Sequence, residues 1–165
     1  MTRSILADAF EHNVWATIVV IDVCQGLSPD QLEASVPGTY GSILSTLRHT
    51  VGADAGYLFA LTGGAFPEVD DDSMDLGQLK AVMERNGPAW AALLATDPDP
   101  DLDCVRHRDD GTDSHAPVGV RLAQVVHHGT DHRSQICTAL TSLGIQPPEI
   151  DVWSYAWLQG RLSED

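Results

Sequence analysis

The chain has 165 residues, 43% of them hydrophobic and 20% charged, which suits one domain spanning residues 1–165 with a core large enough to fold without staples. Twenty-four acids oppose nine bases, a formal charge of −15; such a surface repels phosphate backbones, and with no Lys/Arg cluster to offset it, DNA and RNA are excluded as main partners. No apolar run approaches the roughly 20 residues of a membrane span, and "MTRSILADAFEHN" has acids and a histidine where a signal peptide is apolar, so a cytoplasmic protein with no membrane partner is expected.

Helical periodicity dominates. Residues from about 4 to 25 repeat apolar positions at Ile5, Ala9, Val14, Ile18 and Ile21, with Gly26 as a C-cap. Ser28, Pro29 and Gln31 form a compact helix-start signature of N-cap, N1 proline and capping-box partner, good for a turn or two. A second long helix is predicted from about 42 to 62, stopping at Gly63-Gly64, followed by an acidic linker in which Glu68 to Asp72 reads as a solvated loop. A third is predicted from about 75 to 96, kinked or broken at Pro88 because proline removes a donor and clashes with the preceding turn. Leu102 to Arg108 reads as a strand and "DDGTD" as a turn, making a short hairpin with "APVGV". A fourth long helix follows from about 119 to 143, ended by Gly144 and Pro147-Pro148. The aromatic tail, with Trp153, Tyr155 and Trp157, is expected to pack back as a short helix or to wall a pocket. Cys24, Cys104 and Cys137 are odd in number and far apart, which argues against a disulfide framework or zinc ribbon and predicts small buried residues. The architecture expected is all-α, a four-helix up-down bundle with short extra helices and the hairpin before the last long helix.

The segment "VVHHGTDHRSQIC", Val125 to Cys137, carries the densest chemistry. With about 100° per residue and His128 at zero, Leu122, Val125, Gly129, Ile136 and Leu140 fall between roughly 60° and 120°, His132 near 40°, and His127 near −100° with Asp131 on the polar side. His128 and His132 therefore share an inward face at i, i+4, close enough for both imidazoles to ligate one ion. Neutral imidazole accepts Zn, Ni, Cu, Mn or Fe(II). Gly129 follows His128, so the carboxylate base of an H-E-x-x-H motif is missing. A third ligand has to come from another helix. His12 is ambiguous, His107 and His115 lie in an acidic irregular stretch and read as solvated, and His49 shares a small-residue stripe with Ala53, Gly56 and Ala60 that equally suits a packing seam. Spacing alone leaves that choice open.

Three stretches in order resemble the DinB/YfiT-like family of metal-dependent enzymes over nearly the whole chain. They are "EHNVWATIVV" around Trp15, "LSPDQLEASVPGTYGSILSTLRHTVGADAGYL", and "VVHHGTDHRSQICTALTSLGIQPPEIDVWSYAW". The resemblance implies an up-down-down-up bundle and one divalent metal ion held by His49, His128 and His132, with Zn or Ni expected ahead of Mn or Fe. Ser134 stands where a glycine is usual, and Gly56-Tyr57-Leu58 replaces a more frequent aromatic pair.

Three histidine nitrogens leave a coordination position open, the pattern of catalytic sites. Relatives of this kind activate bacillithiol, mycothiol or glutathione, so the resemblance implies a thiol S-transferase or isomerase, similar to the mycothiol-dependent maleylpyruvate isomerase, acting on small electrophiles. It also implies a homodimer. A metal-dependent hydrolase is the alternative and needs a base, for which Asp131 and Glu11 are the nearby acids. A non-catalytic metal-binding or dimerisation module is the third reading. Arg133 is a candidate for binding an anionic cosubstrate or a surface acid. Gln135, near −20°, is a candidate to hold His128 from behind or to touch a cofactor.

Overall fold

A computed structural model describes residues 4–107 and 110–163. Four long helices carry the structure: α1 (Ala7–Cys24), α3 (Ile43–Leu61), α4 (Leu76–Ala95) and α5 (Val118–Ser142). Short helices α2 (Pro29–Leu32) and α6 (Val152–Leu158), a 3₁₀ turn at Asp71–Ser73, and an antiparallel hairpin of β1 (Asp103–His107) with β2 (Asp113–Pro117) complete the described chain. The protein is all-α apart from that hairpin.

Helix starts follow local chemistry. Ser28 and Gln31 cap α2 reciprocally, Asp75 and Gln78 do the same for α4, and Ser42 accepts the Ser45 N–H at the start of α3. Gly63 and Gly64 take positive φ just past α3, and Gly144 just past α5, where a side chain would be strained. Two expectations need correction. α4 runs unbroken through Pro88, because Pro88 and Glu84, whose carbonyl loses its partner, both lie on the solvent side, where water replaces the missing bond. The second strand is Asp113–Pro117, not "APVGV", and Val118–Val120 are already helical. Pro117 closes the strand, and the first α5 donors are taken by the hairpin's approach: Val118 N–H reaches the Leu102 carbonyl and Gly119 N–H the Pro100 carbonyl, both at 2.9 Å. Arg108 and Asp109, at the predicted strand end and turn, lie outside the described residues.

α1 and α3 each pack against both α4 and α5. Two apolar clusters result. One holds Val20, Ile21, Leu47, Val51, Met83 and Leu140; the other holds Phe10, Leu58, Trp90, Leu94, Leu122 and Val125. Each long helix contributes a buried polar residue to one network: Asn13, Asp54, Asn86 and Arg133. Asp54 Oδ1 accepts from Asn86 Nδ2 at 2.8 Å and Trp90 Nε1 at 3.0 Å, and Arg133 Nη1 donates to Asn13 Oδ1 at 2.6 Å and Thr17 Oγ1 at 3.0 Å. Among the described residues no buried side-chain polar atom lacks a partner. This network explains why the α1 stripe read from apolar residues is rotated from the buried one. Asn13 and Thr17 are buried, while Ala9, Val14 and Ile18 are only half-buried and Ile5 precedes the helix.

Arg133 is thus neither on the surface nor paired with a surface acid. It is 2% exposed and satisfied by α1, and burial lowers its pKa to about 10 against the pull of Asp54. Cys24 and Cys104 are buried and Cys137 half-buried, all as free thiols, and burial pushes Cys24 up to about 12. Tyr155 is buried against His12 and Trp15 with its hydroxyl donating to Glu11, whereas Trp153 and Trp157 stand in solvent.

Candidate metal centre

α5 presents His128 and His132 one turn apart, and α3 packs alongside it and presents His49. One nitrogen of each ring lies within 4.8 Å of the other two, and His49 Nε2 and His128 Nε2 are 3.0 Å apart. Metal–nitrogen bonds of about 2.0–2.1 Å place neighbouring ligand nitrogens about 2.9–3.4 Å apart for octahedral or tetrahedral ions, which the His49–His128 pair matches, so the three rings could hold a divalent ion. Burial first, then the His132 and His49 rings, depress His128 to about 4; burial and His132 lower His49, with Asp71 pulling the other way. Both rings are therefore neutral at pH 7, and a neutral imidazole keeps the lone pair that ligation requires.

The tautomer of His132 follows from its neighbours. Gln135 Oε1 accepts the Tyr40 backbone N–H at 3.0 Å, which fixes that atom as the amide oxygen, and the same oxygen lies 3.1 Å from His132 Nδ1. Nδ1 must donate, which leaves the lone pair on Nε2, facing the other histidines. Gln135 thus supports His132, not His128 as the sequence geometry predicted, because i, i+3 on α5 brings it under the later ring. Tyr40 also stacks on His49, ring centroids 4.1 Å apart at 12°, and meets His132 edge-on.

The remaining histidines are engaged elsewhere. His12 is hydrogen-bonded to the Ile150 carbonyl at 2.7 Å, and His107 and His115 pair with Asp113 and Asp103 on the exposed hairpin. His127 and Asp131 are exposed, as the helix geometry predicted.

His49 and His128 line a cavity of about 360 Å³ together with Gly52, Tyr57, Glu68, Asp71 and Arg106, while His132 lies buried behind them. The acidic stretch read as a solvated loop therefore has two residues in the site wall. Asp71 rests against Gly52, where a methyl group would come within 2.9 Å of its Cβ, and Glu68 accepts a 2.7 Å bond from Arg106 of β1. Tyr40, Asp71, Glu68 and Arg106 were invisible as site residues in the sequence. The one signal was Gly52, which with Gly56 leaves a small-residue floor on α3 beside His49. Arg133 lines a different cavity, with His12 and Cys137.

No helix among the described residues is long and apolar enough to cross a membrane. No curated protein matches the chain. The DinB family model matches residues 1–165, the full length, and the chain belongs to the DinB family.

Proposed function

We propose that this DinB-family chain is a metal-dependent thiol S-transferase or isomerase, working in the cytoplasm as an up-down-down-up bundle and a homodimer. It would act on small electrophiles, with neither nucleic acid nor membrane as a partner. The observation that carries the proposal is the clustering of His49, His128 and His132, with His49 and His128 in the wall of a cavity where one side of a bound ion would stay open to a ligand. His49, His128 and His132 would hold one divalent ion, Zn or Ni ahead of Mn or Fe, and such an ion ionises a thiol that reaches it. The chain's own residues do the rest. Gln135 keeps the His132 lone pair aimed inward, and Tyr40 packs over His49 and limits water at that ring. Tyr57, edge-on to His128 at 6.0 Å between centroids, walls the side where an electrophile would lie. The cosubstrate would be a low-molecular-weight thiol of the mycothiol, bacillithiol or glutathione kind.

The test is turnover of a panel of small electrophiles by metal-loaded protein with each thiol and with none. Activity that needs a thiol and disappears in His128→Ala supports the proposal; turnover at the same rate without any thiol overturns it.

A hydrolase is the second reading, favoured by Asp71. That carboxylate lines the same cavity as His49 and His128, whereas Asp131 is exposed and Glu11 holds the Tyr155 hydroxyl. Thiol-independent turnover lost in Asp71→Asn would establish it.

A further inference from the structure

The cavity has two chemically different ends. At one stand His49 and His128, with Asp71 against Gly52 next to them. At the other stands Arg106, the only Lys or Arg among the described residues lining this cavity. Its guanidinium lies over Gly56, where a methyl group would come within 3.4 Å of Nη2 and 3.4 Å of Glu68 Oε1. Gly56 is buried and seven residues along α3 from His49, which at 1.5 Å per residue separates the two ends by about 10 Å.

The partner of Arg106 is a carboxylate of the protein itself, Glu68, at 2.7 Å. Both side chains keep 40–45% of their surface in water, and such pairs contribute little to stability. Nothing in the fold therefore demands this pair. An arginine fork held over a glycine floor, facing a cavity and covered by a weakly held carboxylate, is preset for another carboxylate. In a chain of net charge −15, a cation placed there also offsets the repulsion that an anionic ligand meets elsewhere on the surface.

We infer that Arg106 is a specificity-determining residue that binds the carboxylate of a small ligand whose other end reaches the histidine site, with Glu68 occupying the position until the ligand displaces it. This rests on the proposed metal site and names its ligand class, a thiol or electrophile bearing a carboxylate roughly 10 Å from the reacting atom. The volume of about 360 Å³ is at the small end for ligand cavities, consistent with such a molecule.

The test compares 6-mercaptohexanoate with 6-mercapto-1-hexanol, equal in length and differing in the charged end, on Co(II)-loaded protein. Calorimetry reads affinity, and the thiolate-to-cobalt charge-transfer band reads whether sulfur reaches the ion. The acid is expected to bind about tenfold tighter than the alcohol to the wild type. Arg106→Gln should abolish that preference, and Glu68→Gln should tighten the acid several-fold while leaving the alcohol unchanged. Both variants should retain the cobalt d–d spectrum of the wild type, which shows that the fold and the triad are intact. 3-Mercaptopropionate, too short to span the cavity, should show no Arg106 dependence. Equal affinity for acid and alcohol, including no binding of either, or an acid preference that survives Arg106→Gln, overturns the inference. An Arg106-dependent preference without a charge-transfer band supports Arg106 as the carboxylate site but overturns both its link to the histidine site and the thiol reading.

Discussion

Replacing Gln135 by leucine tests the logic of the centre most directly, because it leaves all three histidines in place. One oxygen, Gln135 Oε1, serves two donors, the Tyr40 N–H at 3.0 Å and His132 Nδ1 at 3.1 Å. A leucine of similar size removes that one acceptor from both donors. Each such bond is worth about 1 kcal/mol net, but Tyr40 is 56% exposed, so its N–H finds water and that half of the loss is small. His132 is 8% exposed and has less recourse. Its ring becomes free to change tautomer and to rotate, and the Nε2 lone pair is no longer fixed toward the other histidines. Losing a hydrogen-bonding support of this kind weakens metal affinity by about 10–100-fold, or about 1.4–2.7 kcal/mol. Gln135→Glu keeps the acceptor and adds charge behind the imidazole, so affinity should match or exceed the wild type. Zinc competition against a chromophoric chelator measures all three proteins, with thermal unfolding of the metal-free forms as a control. A Gln135→Leu protein within about twofold of wild-type affinity would refute the assignment of Nδ1 as the donor and of Gln135 as the residue that sets it.

Four further outcomes are expected. Protein purified without added metal or an affinity tag should carry one ion per chain by elemental analysis, and His128→Ala/His132→Ala should carry none, because a single imidazole does not retain an ion. Asp54→Ala should destabilise the fold by about 3 kcal/mol or more in urea denaturation, since Asn86, Trp90 and Arg133 lose their buried acceptor and countercharge; a loss below about 1 kcal/mol would show that the network is dispensable. For the metal-free protein, His12, His49 and His128 all have folded pKa values below 6.5, with burial the leading cause and His128 at about 4. Above pH 6.5 neither state binds these protons; between pH 6.5 and 4 the unfolded chain takes them up and the folded one does not, so the urea midpoint should fall across that window, and fall less in His128→Gln. Gly52→Ala should displace Asp71, whose carboxylate occupies the space of the new methyl group, and move the Asp71–Ser73 turn with it. If the hydrolase reading holds, thiol-independent turnover drops in this variant while metal content stays at one per chain.

Much of the fold was legible in the sequence because it is encoded within a few residues. Capping boxes at Ser28 and Asp75, the Ser42 cap, and the glycines at 63, 64 and 144 mark helix ends through contacts between near neighbours. The i, i+4 relation of His128 and His132 and the outward direction of His127 are likewise consequences of one helix's own geometry. Where the local signal misled, a nonlocal contact had taken over. Pro88 is tolerated because its face meets water, the buried stripe of α1 is turned by a polar network drawn from three other helices, and Arg133 is buried because Asn13 and Thr17 await it across the bundle. The choice of His49 among four candidates, the placement of Tyr40 and Gln135 behind the rings, and the meeting of Glu68, Asp71 and Arg106 in one cavity depend on α3 and α5 lying side by side. They depend equally on the acidic linker and the hairpin closing over α3. A periodicity states which way a side chain faces on its own element; what it faces is set only when the elements pack.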